Sequence, residues 1–289
     1  MSTILVTGAT GNVGAHVVSN LVAHGATVRA FVRDSALAAA KLGDVDLVRG
    51  DLGDPSSIRR ALVGVDRVFL TAADGPDKVT HERAVIDAAA AAGVELVVKL
   101  SALHADTMSP LPAFAWHGVI ERHLDKSGLD AIVLQPSFFM SNLLMVAAGV
   151  AQTDTVYAPT GGAPVAMIDT RDVAAVAAAV LHDNGHARFV GQTLQLTGPD
   201  SITFHDVAAA LTSAVGRPIE YVDLTAEQAR PRFEGAGLPD RLQRHLAGVF
   251  DLIRDGAFAT ATTTVREITG RPATSITAFL KDHAHAFSN

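Results

Sequence analysis

Gly8, Gly11 and Gly14 follow directly on the apolar run Ile4-Leu5-Val6, and no other segment of the chain is so well suited to hold an anion. Glycine permits positive φ, and its missing side chain lets backbone N–H groups come close to a phosphate. A helix starting near Asn12, with Val13, Val17 and Leu21 at helical spacing, adds roughly half a positive charge at the same point. The segment therefore reads as the seat of a nucleotide pyrophosphate, with a tight strand-to-helix turn as the plainer alternative. Its spacing is Gly-x-x-Gly-x-x-Gly, with the first glycine one residue earlier than in the common dinucleotide fingerprint.

Arg33 and Asp34 end the second apolar run, Thr27 to Val32, and bear on which nucleotide is held. An acid here bonds a ribose 2′-hydroxyl, whereas an arginine accommodates a 2′-phosphate. Asp34 can equally cap the Ala-rich helix that follows, and Arg33 can equally be a solvated strand end. The balance favours NADPH over NADH. Asp51 and Leu52 follow the third run; the carboxylate could accept from an adenine amino group while Leu52 packs on the ring, or Asp51 could bond its own loop. Thr71, Ala72 and Ala73 end the fourth run with small side chains that let backbone pass close to a cofactor. Lys99 and Ser101 end the fifth, where a lysine is unusual in so apolar a strand, though its long stem could carry it to solvent.

The elements that must position these residues alternate in the manner of a parallel sheet covered on both faces. Strands are expected at 3–7, 27–32, 46–49, 67–71, 95–100, 131–134 and 193–197. Helices are expected near 12–24, 35–41, 56–63, 78–92 and 113–127, then 172–182 behind a cap at Asp169 or Thr170. The ligand crevice of such a sheet lies at the carboxyl ends of its strands. After Leu134 the pattern changes: Gln135-Pro136-Ser137-Phe138-Phe139-Met140 leads into an apolar stretch to Val150. From Phe204 the chain reads as helical over 204–215, 225–258 and 273–285. The middle stretch is broken at Gly235-Ala-Gly237-Leu-Pro239, which suggests two helices and a movable flap. The expected division is a Rossmann-type domain over 1–135 with added segments within 165–200, and a smaller, mostly helical substrate and lid region over 136–164 and 200–289.

Composition narrows the function classes. The 289 residues are 48% hydrophobic and 18% charged, the balance of a globular chain. There is no cysteine, so disulfides, thiolate metal sites and a cysteine nucleophile are excluded, which fits a reducing cytoplasm. No signal-peptide pattern precedes the first strand, and no run of roughly 18 uncharged apolar residues exists to span a membrane. A formal charge of −7 argues against nucleic acid as a partner. No metal is expected: His182 and His186 are four apart, but Asn184-Gly185 between them breaks the helix that would align them. His-Glu-x-x-His, Gly-x-Ser-x-Gly and Gly-x-x-x-x-Gly-Lys patterns are all missing.

Taken together, Thr7-Gly8-Ala9-Thr10-Gly11-Asn12-Val13-Gly14, Val32-Arg33-Asp34, Gly50-Asp51-Leu52, Ile168-Asp169-Thr170-Arg171-Asp172-Val173 and Ile268-Thr269-Gly270-Arg271-Pro272 resemble the NmrA-like group of atypical short-chain dehydrogenases. Triphenylmethane reductases and bacterial NADPH:quinone oxidoreductases belong to that group. The resemblance covers nearly the whole chain and implies an NADP(H)-binding Rossmann domain with a small C-terminal domain forming the substrate pocket. It implies that Gly8, Thr10, Gly11, Asn12, Val13 and Gly14 cradle the pyrophosphate and that Arg33 meets the 2′-phosphate. It also implies that Thr71, Ala72, Ala73, Lys99, Ser101, Gln135, Pro136, Ser137 and Phe138 line the ribose and nicotinamide.

One departure matters for mechanism. Ordinary short-chain dehydrogenases protonate a carbonyl through Tyr-x-x-x-Lys, but Tyr157 and Tyr221 are the only tyrosines and neither has lysine four residues on. The matching helix reads Ala115-Trp116-His117-Gly118-Val119-Ile120-Glu121, with His117 at the tyrosine position and Glu121 at the lysine position. His117 is thus the candidate proton donor, against a histidine that merely bonds a neighbouring loop. Glu121 could orient the ring or form a surface pair, and Ser101 could bond a carbonyl oxygen. Phe138, Phe139 and Met140 read as core packing or as the wall of a pocket for a flat aromatic substrate. The expected function is an NADPH-dependent reductase of a bulky apolar conjugated acceptor, acting as a monomer or homodimer. The alternative is a non-catalytic NADP(H)-sensing regulator, for which the missing tyrosine and lysine speak.

Overall fold

The computed structural model describes residues 2–182, 184–235 and 239–288. Its first half runs β1 (Thr3–Val6), α1 (Gly14–Ala23), β2 (Thr27–Val32), α2 (Ser35–Leu42), β3 (Asp46–Arg49), α3 (Pro55–Ala61), β4 (Arg67–Leu70), α4 (Lys78–Ala92), β5 (Leu96–Leu100), α5 (Pro112–Asp125) and β6 (Asp130–Pro136). A 3-10 turn at Met140–Val146 then leads into α6 (Ala147–Thr153), β7 (Thr155–Ala158), α7 (Thr170–His182) and β8 (Thr193–Leu196). The chain ends with α8 (Phe204–Val215), β9 (Glu220–Asp223), α9 (Ala226–Gly235), α10 (Asp240–Arg254), α11 (Thr264–Thr269) and α12 (Ile276–Asp282). The expected doubly wound α/β fold is borne out.

Two compact units result. The first comprises Met1–Pro136, Thr170–Leu196 and Glu267–Gly270, and the second Ser137–Asp169, Thr197–Arg266 and Arg271–Asn289. Seven strands of the first unit pair in the order β3-β2-β1-β4-β5-β6-β8, all parallel. The order reverses direction on either side of β1 and β4, which opens a crevice at their carboxyl ends. Every residue of β4 and β5 is buried, as expected of central parallel strands covered on both faces. On one face, Leu5, Val68, Leu70 and Val97 pack with Ile58 of α3 and Leu62 just after it, Val85 and Ile86 of α4, and Ile120 and Leu124 of α5. In β5 the register pairs Val97 with Val68 and Lys99 with Leu70. Lys99 is wholly buried, so its stem does not carry it to solvent.

In the second unit, β7 and β9 form a two-stranded parallel sheet that the sequence does not announce. Thr-Val-Tyr-Ala and Glu-Tyr-Val-Asp are too short and too polar to show a strand period. Tyr221 ties the sheet to the next turn, with its hydroxyl 2.7 Å from Asp223 and Asp223 Oδ1 accepting the N–H groups of Thr160 and Gly161. The break expected in the helical stretch 225–258 falls between α9 and α10, where 236–238 lie outside the described residues. The same holds for the side chain of His186. Among the described residues no helix is long and apolar enough to cross a membrane.

Candidate functional site

The turn from β1 into α1 is built so tightly that side chains have no room. Gly8 has φ +58°, and a Cβ there would lie 2.7 Å from Thr71 Cγ2. A Cβ on Gly14 would lie 2.2 Å from the Gly8 carbonyl oxygen, so only glycine lets α1 start this close to the loop. Gly11 N–H closes the turn on Gly8 O at 2.9 Å. Thr7 fastens it to the next strand, donating to Thr71 O and accepting Thr71 N–H, both at 2.8 Å. Val13 gives α1 no side-chain cap and its first turn holds no acid. By contrast, α2 and α3 are capped by Asp34 and Asp54. An uncapped helix start beside glycine backbone is a fitting seat for a dinucleotide pyrophosphate.

A cavity of about 600 Å³ opens over this turn. Gly8, Thr10, Gly11, Asn12, Val13, Gly14, Arg33, Asp51, Leu52, Thr71, Ala72 and Ala73 all line it. Arg33 is exposed at its wall. Asp34 instead turns to α2, where its carboxylate accepts the N–H groups of Ala36 at 2.9 Å and Leu37 at 3.0 Å. Asp51 accepts Gly53 N–H at 2.7 Å, the local bond weighed for it, while remaining in the cavity wall. Phe31, Asp74, Asp77, Lys78 and His81 also line the cavity, and sequence reasoning did not single them out.

Behind the cavity wall lies a cluster of buried charge. Glu82, fully buried, lies 3.0 Å from Lys78 Nζ through one oxygen and 2.9 Å from Lys99 Nζ through the other. Lys78 Nζ donates to Ala72 O at 2.7 Å, and Ala72 N–H donates to Glu82 at 3.0 Å, so the backbone of one cavity-wall residue is held on both sides. Asp74 completes the surroundings of Lys78 at 3.2 Å. Burial lowers the Lys78 pKa, but Glu82 and Asp74 outweigh it and hold it above the ordinary lysine value. For Lys99 burial dominates over the attraction of Glu82, and its pKa falls to about 8. The i,i+4 spacing of Lys78 and Glu82 in α4 is a pattern common on helix surfaces, so on its own it does not mark this cluster.

His117 of α5 is 7% exposed and places Nδ1 3.2 Å from Lys99 Nζ. One turn on, Glu121 accepts from the Ser101 hydroxyl and from Gln135 Nε2 at 3.0 Å, so it points inward and is no surface pair. Lys99, Ser101, His117, Gln135 and Pro136 lie outside the wall of the 600 Å³ cavity. Ser137, Phe138, Phe139 and Met140 belong to the second unit. There Phe139 bridges to Ile168, with Phe138 O accepting Ile168 N–H and Met140 N–H reaching Ile168 O, both at 2.9 Å. Phe138 and Met140 are buried and Phe139 half-buried.

A doubly wound sheet with a glycine cradle behind its first strand is the construction of the Rossmann-type dinucleotide-binding class. Within that class the chain belongs to the NmrA-like family, whose model matches residues 1–281. An NAD(P)H azoreductase of Xenophilus azovorans is 38% identical over 98% of this chain and 99% of its own. A (4-alkanoyl-5-oxo-2,5-dihydrofuran-3-yl)methyl phosphate reductase of Streptomyces griseus is 37% identical over 99% of both. The NADPH-dependent quinone oxidoreductase QOR2 of Escherichia coli, crystallised with NADPH, superposes with a TM-score of 0.88 at 29% identity, over 98% of this chain and 99% of the other.

Proposed function

We propose that this protein is an NADPH-dependent reductase acting on a bulky, apolar, conjugated acceptor such as a quinone, an aromatic ketone, an azo compound or a similar polycycle. The observation that carries the reading is the division of labour after β2. Asp34 is committed to capping α2, while Arg33 is left exposed in the wall of a cavity whose base is an uncapped helix start. That arrangement suits a 2′-phosphate at one end of the cavity and a pyrophosphate at the other. The cofactor, when bound, supplies the hydride.

This chain's residues bind and orient. Gly8, Thr10, Gly11, Asn12, Val13 and Gly14 hold the diphosphate, Asp51 and Leu52 the adenine, and Thr71, Ala72 and Ala73 offer backbone along the ribose. His117 furnishes a proton to the reduced acceptor. Ser101 gives its hydroxyl proton to Glu121 and so offers a ligand only a lone pair. Phe139, half-buried beside the more deeply packed Phe138 and Met140, supplies apolar surface for a flat ring. The acceptor class draws its support from relatives named azoreductase and quinone oxidoreductase.

The test follows NADPH absorbance with a panel of quinones, aromatic ketones, azo compounds and cationic dyes, while quenching of Trp116 reports nucleotide binding separately. Acceptor-dependent oxidation is expected. Tight NADPH binding without oxidation by any acceptor would favour the NADP(H)-sensing alternative.

A further inference from the structure

Lys99 Nζ hydrogen-bonds the Leu100 carbonyl and His117 Nδ1 and forms an ion pair with Glu82. The Leu100 carbonyl and Glu82 Oε2, the latter at 2.9 Å, can only accept; the third partner is His117 Nδ1 at 3.2 Å. A lysine ammonium has donors and no acceptor. While Lys99 is charged, the imidazole must therefore present a bare Nδ1 and carry its proton on Nε2. We infer that Lys99 is a positioning residue that fixes the tautomer of His117, holding it neutral with its single ring proton on Nε2. The use made of that proton rests on the reductase reading; its location does not.

The same geometry specifies what happens when Lys99 loses its charge. A neutral amine keeps two protons and one lone pair. With its two protons kept towards the Leu100 carbonyl and the ion-paired Glu82 carboxylate, the lone pair faces His117 and Nδ1 donates. Deprotonation of Lys99 thus moves the ring proton from Nε2 to Nδ1 and leaves Nε2 bare. The charges facing this contact are Glu82 and Lys78 on α4 and Glu121 on α5, with Asp74 behind Lys78. With Lys99 lowered to about 8 by burial, the exchange falls just above neutral pH.

This placement constrains any proton delivery by His117. The donor is neutral imidazole through Nε2, and the adjoining ammonium of Lys99 can refill Nδ1 as Nε2–H leaves. One proton then moves from Lys99 to Nδ1 and one from Nε2 to the ligand, and the pair resets when Nε2 takes up a proton from solvent and Nδ1 returns its proton to Lys99. No oxidant or further reactant is required.

The experiment is long-range proton–nitrogen NMR on the full chain without nucleotide, ¹⁵N-labelled at histidine and assigned with His117→Gln. Near pH 7 the expected His117 pattern is a bare Nδ1 and a protonated Nε2, exchanging places as the pH rises through about 8. Lys99→Arg should keep the neutral-pH pattern and abolish the exchange, because a guanidinium does not deprotonate. Lys99→Met combined with Glu82→Gln, which removes both charges of the pair, should give a mixture of tautomers. A protonated Nδ1 in the wild-type chain at pH 7, or the same exchange in Lys99→Arg, would overturn the inference. Loss of reductase activity with the NMR pattern intact would count against the reductase reading alone.

Discussion

The glycine turn after β1 and the charge cluster behind β4 and β5 hold the same cavity wall by opposite means. The turn works through absence: no Cβ at Gly8 or Gly14, no cap on α1, backbone brought close and left open. The cluster works through presence, with Lys78, Glu82 and Lys99 at most 2% exposed and Lys78 and Glu82 holding the Ala72 backbone. A turn that offers bare N–H groups gains stability when an anion arrives. A buried ion set has to be complete before anything binds, because each unpaired charge in a dry interior costs several kcal/mol. The cavity therefore has one wall finished by the ligand and one finished by folding.

The difference is sharpest for stability. Glu82→Leu leaves two buried lysines without their shared carboxylate and should cost about 3–5 kcal/mol, read by urea unfolding. Gly14→Ala forces a Cβ against the Gly8 carbonyl, costing about 1–3 kcal/mol and weakening NADPH binding more than tenfold in a fluorescence titration. If Gly14→Ala binds NADPH as the wild type does, the cradle is elsewhere. Arg33→Ala should lose about 1.5–3 kcal/mol of NADPH affinity, roughly 10- to 100-fold, with NADH affinity unchanged. Asp34→Ala should cost only the cap, about 1 kcal/mol of stability, and leave the preference between the two nucleotides as it was. A changed preference would return Asp34 to the ribose.

A slope in pH separates the cluster from the turn by the smallest effect. Between pH 8 and the ordinary lysine value of 10.5, the unfolded chain keeps a proton that folded Lys99 has lost. The unfolded state binds more protons, so the Lys99 contribution to stability rises with pH across that window. Lys78 is raised instead, so its contribution is lost only above the ordinary value. The rise should appear in unfolding free energies measured through this window, and should be missing in Lys99→Met.

The two regions also differ in how far the sequence reveals them. The cradle is local: a strand, three glycines and a helix lie within Thr3–Ala23, so periodicity and turn chemistry show it together. The central strands of the large sheet are legible for a similar reason, since strands buried on both faces are largely apolar, whereas the edge strands β3 and β8 carry exposed polar residues. The cluster is assembled from α4, β5 and α5, and only the register that sets Lys99 beside Leu70 brings it together. Lys99 stood out as a lysine in an apolar strand, but its partner Glu82 looked like any helix-surface acid. Asp34 shows a different limit: cap and ribose ligand have the same sequence signature, and only its bonds to Ala36 and Leu37 separate them. In the second unit, β7 and β9 pair residues 65 apart in the chain with four residues each, too little pattern for a strand to declare itself.

The measurement that tests the reductase reading most directly is transfer of deuterium from NADPH labelled at the nicotinamide C4 to the best acceptor of the panel. The account predicts label in the carbon-bound product or, for acceptors reduced at oxygen or nitrogen, a primary isotope effect on NADPH oxidation that His117→Ala does not abolish. Bound, intact NADPH that no acceptor oxidises would contradict it.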